Sequence, residues 1–182
     1  MSTGDPLRTE NASLVELVEA VRALPYGRPH DRSVEGLQRE RRGTCSTKHL
    51  FLARALADRF PETRPQIVHR VYRASRDQVR ELYGDRVAAA VPEHGLNDVH
   101  RYLSIEVERR RITLDVTFPG GECWDGRSSL PVACGRGDDF LAGDDPDAEK
   151  RALEARYCVA TVREPFIAAL SAASAFEAGV SH

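Results

Sequence analysis

The chain is 182 residues long, with 41% hydrophobic residues, 30% charged residues and a formal net charge of −2 at pH 7. This length predicts a single domain over residues 1–182. The composition predicts that the domain is folded, because the chain is too apolar for disorder, and it lacks the long apolar run of a membrane span. The near-balanced charge gives no broad positive field for a phosphate backbone, so neither nucleic acid nor a membrane is expected as a partner.

Three helices are predicted before the first strand. Ser13 and Glu16 have the spacing of a capping box, which begins an amphipathic helix. A short, arginine-rich helix follows around residues 34–41. A long helix then starts at Cys45 and ends before Pro61, because proline cannot continue a helix. Cys45 is therefore expected in the first turn of a helix.

The rest of the chain is predicted to combine strands, helices and one long loop. Alternating apolar residues mark the strands, apolar residues at helical spacing mark the helices, and glycine, proline and aspartate mark the loop. In chain order we predict a strand over 66–73, a helix over 75–90, a hairpin with strands over 100–107 and 112–118, an irregular segment over 119–145, and helices over 146–156 and 164–176. This content indicates the α+β class.

The predicted hairpin has one register that buries its apolar residues. A two-residue turn that pairs Val107 with Arg110 sets Leu103 opposite Leu114 on one face of the sheet. A slip of one residue would turn this whole apolar set toward the other face. The hydrophobic pattern therefore predicts the pairing of the two strands.

The reverse face of the same hairpin is predicted to carry catalytic side chains. In this register Asp115 lies opposite Tyr102 and diagonal to His100, within reach for a carboxylate to orient an imidazole. His94, in a loop just before the strand, is the rival for the base, since loops often carry catalytic groups. His69 is expected to be structural.

Cys45 is the candidate nucleophile because of its predicted position. A thiol attacks as the thiolate, and the positive end of a helix dipole stabilises that anion. The small residues Gly43, Thr44 and Ser46 would let a substrate carbonyl approach the sulfur. Backbone N–H groups of the first turn would hold the oxyanion that forms.

These residues, in this order, resemble the transglutaminase-like superfamily. The resemblance covers residues 43–118: Gly43 and Cys45 lead a long helix, His100 opens a strand, and Asp115 lies on the next one. It implies a papain-like fold, with helices packed on an antiparallel β-sheet and the nucleophile at a helix N-terminus. It also implies that the cysteine attacks an acyl group, the histidine carries the proton and the aspartate aligns the histidine.

The resulting hypothesis is a thiol-dependent hydrolase or acyltransferase that acts on an amide or ester of a peptide or small molecule. No cofactor and no metal are expected. One alternative is a non-catalytic binding domain that uses residues 119–145 as its contact surface. Another is a zinc hydrolase, since Cys45 and His49 share a helix face, although no partner pair completes a tetrahedral site.

Three further residues have two interpretations each, and Tyr102 has one. Gln38 is either a donor to the oxyanion or a surface residue, and Tyr102 is a candidate substrate contact on the hairpin. Trp124, the only tryptophan, either lines the substrate cleft or anchors the long loop. Lys48 belongs to a basic cluster with nearby arginines, which is either a solvated helix face or a site for an anionic substrate.

The cysteines and the N-terminus indicate a reducing compartment. Cys45, Cys123, Cys134 and Cys158 are too few and too scattered to form a disulfide framework, so all four are predicted to be thiols. The first residues lack the basic and apolar pattern of a secretory signal. We therefore expect a cytoplasmic protein.

Overall fold

The structure is a computed structural model that describes residues 5–7, 9 and 11–180, with side chains described as far as residue 173. The described residues form helices and strands in this order: α1 (Leu14–Arg22), α2 (Val34–Glu40), α3 (Cys45–Arg59), β1 (Gln66–Ala74), α4 (Arg76–Ala88), β2 (Leu96–Val107), β3 (Arg110–Leu114), β4 (Gly137–Leu141), α5 (Pro146–Tyr157) and α6 (Ala160–Val180). One turn of 3₁₀ helix, Pro61–Thr63, follows α3. The mixture of helices with antiparallel strand pairs confirms the α+β class.

Local sequence signals set the starts of the helices. At α1 the Ser13 hydroxyl accepts a hydrogen bond from the backbone N–H of Glu16, whose carboxylate accepts one from the N–H of Ser13. Ser75 and Gln78 form the same reciprocal cap at α4. The capping box predicted at Ser13 is confirmed, and the one at Ser75 has the same sequence spacing, because such caps depend only on residues three apart.

The chain forms two compact units, each made from two separate stretches. The first unit is Met1–Ile67 with Tyr102–Ala133, and the second is Val68–Arg101 with Cys134–His182. Strands β1 and β2 each contribute residues to both units. The chain therefore does not divide into consecutive domains, and the single domain expected from its length stays a prediction.

In the first unit, α1 and α2 pack against α3. The inner face of α1 is the predicted apolar stripe, with Leu17, Val18 and Val21 fully buried. On α3, Leu52 and Leu56 are fully buried at helical spacing. Burial of these side chains fixes which face of α3 is covered. It therefore also fixes how the side chains of the first turn are oriented.

The hairpin of β2 and β3 has the predicted register. The paired residues are Leu103 with Leu114, Ser104 with Thr113, Ile105 with Ile112, Glu106 with Arg111 and Val107 with Arg110. Leu103, Ile105 and Leu114 are fully buried, as the apolar alternation requires. The two-residue turn is confirmed as well.

The ends of the hairpin differ from the prediction. β2 begins at Leu96, before the predicted start at residue 100, and β3 ends at Leu114 rather than at residue 118. β3 stops because the next backbone N–H groups bond side chains: that of Val116 donates to His49 Nε2 and that of Thr117 to Asp115 Oδ1. Side chains thus replace the strand partner there.

In the second unit, α4 packs against α6, and β4 pairs with β1 in antiparallel fashion. β4 lies inside the segment predicted to be irregular, so that prediction is wrong for Gly137–Leu141. All five residues of β4 are exposed, and it is the outer strand of the order β3-β2-β1-β4. It forms through its ladder with β1, since glycine and aspartate have little β-propensity of their own.

The two C-terminal helices are present with different bounds. α5 spans Pro146–Tyr157, close to the prediction, with Pro146 in its first turn and Asp145 as its N-cap. α6 begins at Ala160, before the predicted residue 164, and holds Pro165 inside it. The prediction placed this proline at the start of the helix, where its missing N–H has no cost.

Candidate functional site

Cys45 is the first residue of α3, as predicted. Its side chain is buried, with 8% of the residue exposed, and Thr44 is the N-cap with an extended backbone. α3 has 15 residues, long enough for the aligned peptide dipoles to act on a group at its first turn. The thiol thus lies where a helix stabilises an anion.

The chain immediately before Cys45 is closely packed. The backbone N–H of Gly43 donates to the carbonyl of Pro25, and the N–H of Gly27 donates to the carbonyl of Gly43. A Cβ atom at Gly43 would lie 2.7 Å from Leu37 Cδ1 and 2.8 Å from Lys48 Cγ. Only glycine fits there, because these contacts are far shorter than van der Waals distance.

Two small residues beside Cys45 were predicted to bind the oxyanion or the substrate. The N–H of Thr44 donates to Thr47 Oγ1 at 3.0 Å, so this group is already used. Ser46 is half-buried in the first turn. The oxyanion hypothesis therefore requires that the remaining backbone N–H groups of the first turn of α3 bind the oxyanion.

Lys48 is fully buried, one turn after Cys45. Its Nζ donates to the backbone carbonyls of Leu24 at 2.8 Å, Thr117 at 3.0 Å and Arg22 at 3.1 Å. Burial lowers the pKa of Lys48 to about 7, while Asp115 and Cys45 oppose that shift. The interpretation of this lysine as part of a solvated helix face is therefore wrong.

His49 lies on the same side of α3 and uses both ring nitrogens. Nδ1 is 2.7 Å from the carbonyl oxygen of Cys45, and Nε2 accepts a hydrogen bond from the N–H of Val116 at 2.9 Å. An imidazole that accepts at Nε2 carries its proton on Nδ1. This arrangement leaves no ring nitrogen for the zinc site considered with Cys45. Across the described residues, no group of three or more potential metal ligands occurs.

Asp115 is buried beside the first turns of α3. Its Oδ1 accepts from the N–H of Thr117 at 2.9 Å and lies 3.4 Å from His49 Nε2. Its Oδ2 accepts from the N–H of Ala133 at 2.8 Å. Two backbone donors, one to each oxygen, thus fix the carboxylate.

His100 and Tyr102 lie two residues apart on β2, and both are buried. Residues two apart on a strand point to the same face. Tyr102 belongs to the same unit as Cys45 and Asp115, whereas His100 belongs to the other unit. The pairing of His100 with Cys45 and with Asp115 stays a prediction.

Gln38 and Trp124 have different surroundings. Gln38 is half-buried on α2, which packs on α3. The indole N–H of Trp124 donates to the carbonyl of Ser128 at 2.6 Å, and the backbone N–H of Trp124 donates to Glu19 Oε1 at 3.0 Å. With 4% of the residue exposed, Trp124 anchors its loop through these contacts, as one of the two sequence interpretations proposed.

The other two histidines considered in the sequence lie in the second unit. His94 is exposed in the loop before β2. His69 is buried on β1, and neither ring nitrogen has a hydrogen-bond partner among the described residues. Burial, with the positive charges of Arg101 and Lys150, lowers the pKa of His69 to about 4. His69 is therefore a neutral residue near pH 7.

A buried charge network in the second unit was missed by the sequence analysis. The guanidinium of Arg163 on α6 donates to Asp98 on β2 and to Glu154 on α5, the latter at 2.9 Å. Burial alone would raise the pKa of Asp98, but Arg163 and Lys150 hold it below its usual value. No short sequence spacing reveals this network, since its members come from three elements.

The remaining thiols have different exposures. Cys123 is exposed, and Cys134 and Cys158 are half-buried. Burial, followed by the negative charge of Asp98, raises the pKa of Cys158 to about 11. Cys158 is therefore a poor candidate for a thiolate at neutral pH.

Comparison with protein-family models, with curated proteins and with solved structures gives no match for this chain. Among the described helices, none combines the length and apolar character needed to cross a membrane. The fold and the side-chain geometry therefore carry the functional argument.

Proposed function

We propose that this chain is a thiol-dependent hydrolase or acyltransferase of the transglutaminase-like kind. Cys45 attacks the carbonyl carbon of an amide or ester and forms a thioester, and the amine or alcohol leaves. His100 takes the thiol proton and gives it to the leaving group, and Asp115 orients the imidazole. Water then attacks the thioester in a hydrolase, or a second nucleophile does so in a transferase.

The observation that carries this proposal is the position of Cys45. A buried thiol at the first residue of a long helix, one turn from a buried ammonium, has a local field that favours the thiolate. Asp115 lies near the same helix turn: its Oδ1 is 3.4 Å from His49 Nε2, and the other ring nitrogen of His49 is 2.7 Å from the Cys45 carbonyl oxygen. His100 as the base is inferred from its place on β2, two residues before Tyr102.

The test compares Cys45→Ala with wild type on a panel of activated esters and peptide amides. Loss of the nucleophile should reduce turnover by at least about 10³-fold, because a covalent step has no substitute at that position. The matched control is Cys123→Ala, which removes an exposed thiol and should leave turnover unchanged. A Cys45→Ala protein as active as wild type would end the proposal.

His100→Ala and Asp115→Asn test the remaining roles in the same assay. The first should lose nearly as much activity as Cys45→Ala, since groups that act as a unit are not additive. Mass spectrometry of wild type quenched during turnover should show an acyl group on Cys45. An acyl adduct on a different cysteine would reassign the nucleophile.

A second candidate is a binding domain without catalysis, and the edge strand β4 favours it. β4 is the outer strand, and its Phe140 and Leu141 are 37% and 61% exposed. An exposed strand edge pairs readily with an extended segment of another chain. This candidate predicts that Cys45 reacts with iodoacetamide only near the ordinary cysteine pKa of about 8.5. Labelling at neutral pH therefore tells an activated Cys45 from an ordinary one, and turnover decides whether an activated Cys45 is catalytic.

A further inference from the structure

Lys48 is an unusual buried residue in a chain that makes little use of lysine. The sequence contains two lysines, Lys48 and Lys150, and its other strongly basic residues are arginines. Lys48 is 0% exposed. Burying an ammonium in a protein is costly unless its surroundings compensate the charge. The surroundings of Lys48 therefore indicate what its charge does.

The hydrogen bonds of Lys48 match the charged form. Its three acceptors are backbone carbonyls of Arg22, Leu24 and Thr117, at 3.1, 2.8 and 3.0 Å. An ammonium has three N–H donors, whereas a neutral amine has two and would turn its lone pair toward the third oxygen. With all three donors bonded to carbonyls, the charged Lys48 acts on its neighbours as a fixed positive charge.

Lys48 is placed to act on Cys45. The two residues are three apart on α3, a spacing that puts them on one side of a helix. Long side chains in a helix lean toward its N-terminus, which here is the turn that carries Cys45. The carbonyls of Leu24, after α1, and Thr117, after β3, fix the position of the ammonium, and its charge interacts with Cys45.

Three titratable or charged groups act directly on Lys48, and two more lie beside those three. Asp115, from the chain after β3, and Cys45, from α3, both favour the ammonium, whereas Arg22 of α1 opposes it. Arg22 is itself paired with Glu19 at 3.0 Å. His49 of α3 lies beside Asp115 and is held by two hydrogen bonds. Interaction between two titrating groups is reciprocal, so an ammonium that Cys45 favours also favours the Cys45 thiolate.

We propose that Lys48 is a positioning residue whose buried ammonium, held by three backbone carbonyls, stabilises the thiolate of Cys45. This inference rests on the proposed function only in taking Cys45 as the reactive thiol. Lys48 adds a fixed positive charge to the helix dipole, and it ties the Cys45 turn to the segment that carries Asp115. Loss of the Lys48 proton should weaken the nucleophile.

The first test measures alkylation of Cys45 by iodoacetamide as a function of pH. The background protein carries Cys123→Ser, Cys134→Ser and Cys158→Ser, so Cys45 alone reacts. In Lys48→Met we expect the midpoint of the pH profile to rise by about one unit, with a rate at pH 7 about tenfold lower. Lys150→Met, which removes the other buried lysine, is the matched control and should leave the profile in place.

The second test keeps Lys48 and removes the thiol, which avoids a variant that fails to fold. With ¹³C-labelled lysine the protein gives two ε-carbon NMR signals, because the chain has two lysines. Cys45→Ala should lower the titration midpoint of Lys48, since the favourable thiolate is gone. The Lys150 signal serves as the internal reference and should not move.

The outcomes separate this inference from the proposed function. If Lys48→Met folds and leaves the Cys45 profile unchanged, and Cys45→Ala leaves the Lys48 titration unchanged, the inference is overturned while turnover decides the proposed function independently. If both shifts occur but no acyl substrate is turned over, the electrostatic coupling stands and the enzyme proposal falls. A wild-type profile centred near pH 8.5 would overturn the thiolate stabilisation itself.

Discussion

At the first turn of α3, residues usually found on the surface are buried for identifiable reasons. Thr47, Lys48 and His49 are each at most 7% exposed, and each bonds backbone atoms. Lysine and histidine rarely lie in a core unless their polar atoms have partners. Here the partners are carbonyls and N–H groups at or just beyond the ends of helices and strands, which are the groups that secondary structure leaves unpaired.

His69 presents the opposite case, a buried imidazole without hydrogen bonds, and it predicts a pH-dependent stability. Its pKa is about 4 in the folded chain, below the ordinary value of 6.5. Between these values the unfolded chain binds a proton that the folded chain does not. The contribution to folding stability is therefore full above about pH 6.5 and falls by up to about 3 kcal/mol as the pH drops to 4.

His69→Leu should remove this dependence. The free energy of unfolding at pH 7 should stay the same or rise, because no hydrogen bond is lost. As the pH falls from 6.5 to 4, the free energy of unfolding of the variant should exceed that of wild type by an increasing amount. Urea unfolding at several pH values measures this difference. His94→Leu, at an exposed position, is the control and should follow the wild-type curve. Parallel curves for His69→Leu and wild type would contradict the prediction.

At the scale of elements, the β2–β3 hairpin combines a strong register with an unfavourable turn. Its two turn residues, Glu108 and Arg109, have φ angles of 50° and 64°, in the left-handed region. Residues with a side chain adopt that region at a cost of about 1 to 2 kcal/mol each. The turn holds because the strands on both sides are paired and their apolar face is buried.

The double substitution Glu108→Asn and Arg109→Gly should therefore stabilise the protein. Asparagine and glycine are the residues that such two-residue turns prefer, and we expect a gain of about 1 kcal/mol in the free energy of unfolding. Thermal unfolding followed by circular dichroism measures it. Swapping the two residues, to Glu108→Gly and Arg109→Asn, should give a smaller gain. A loss of stability in the first variant would show that the turn is not of this type.

At the scale of the whole molecule, the two units share strands β1 and β2, which predicts cooperative unfolding. Arg163 holds the buried carboxylate of Asp98 in the second unit. Arg163→Met leaves this charge buried with fewer partners and should cost about 3 to 5 kcal/mol. Trp124, the only tryptophan, lies in the first unit and reports on it by fluorescence.

If the units unfold together, Arg163→Met should lower the midpoint seen by Trp124 fluorescence as much as the midpoint seen by circular dichroism. Arg80→Met is the control: Arg80 forms an exposed ion pair with Asp77 and Asp85, so its loss should leave both midpoints close to those of wild type. An unchanged fluorescence midpoint in Arg163→Met, with a second transition by circular dichroism, would mean that the units unfold separately.

The sequence determined the features that depend on near neighbours or on a repeating pattern. The capping boxes at Ser13 and Ser75, the start of a helix at Cys45 and the pairing of Leu103 with Leu114 all follow from residues close in the chain or from strict alternation. The sequence also suggested which residues to propose as a thiol site.

The tertiary structure decided what depends on residues distant in the chain. The strand β4 exists because β1 supplies its ladder, and β3 ends where His49 and Asp115 take over the backbone N–H groups. Lys48 is buried because carbonyls from two other segments meet its three donors. Hydrogen-bond partners of this kind leave no periodic trace in a sequence, so only the folded chain reveals them.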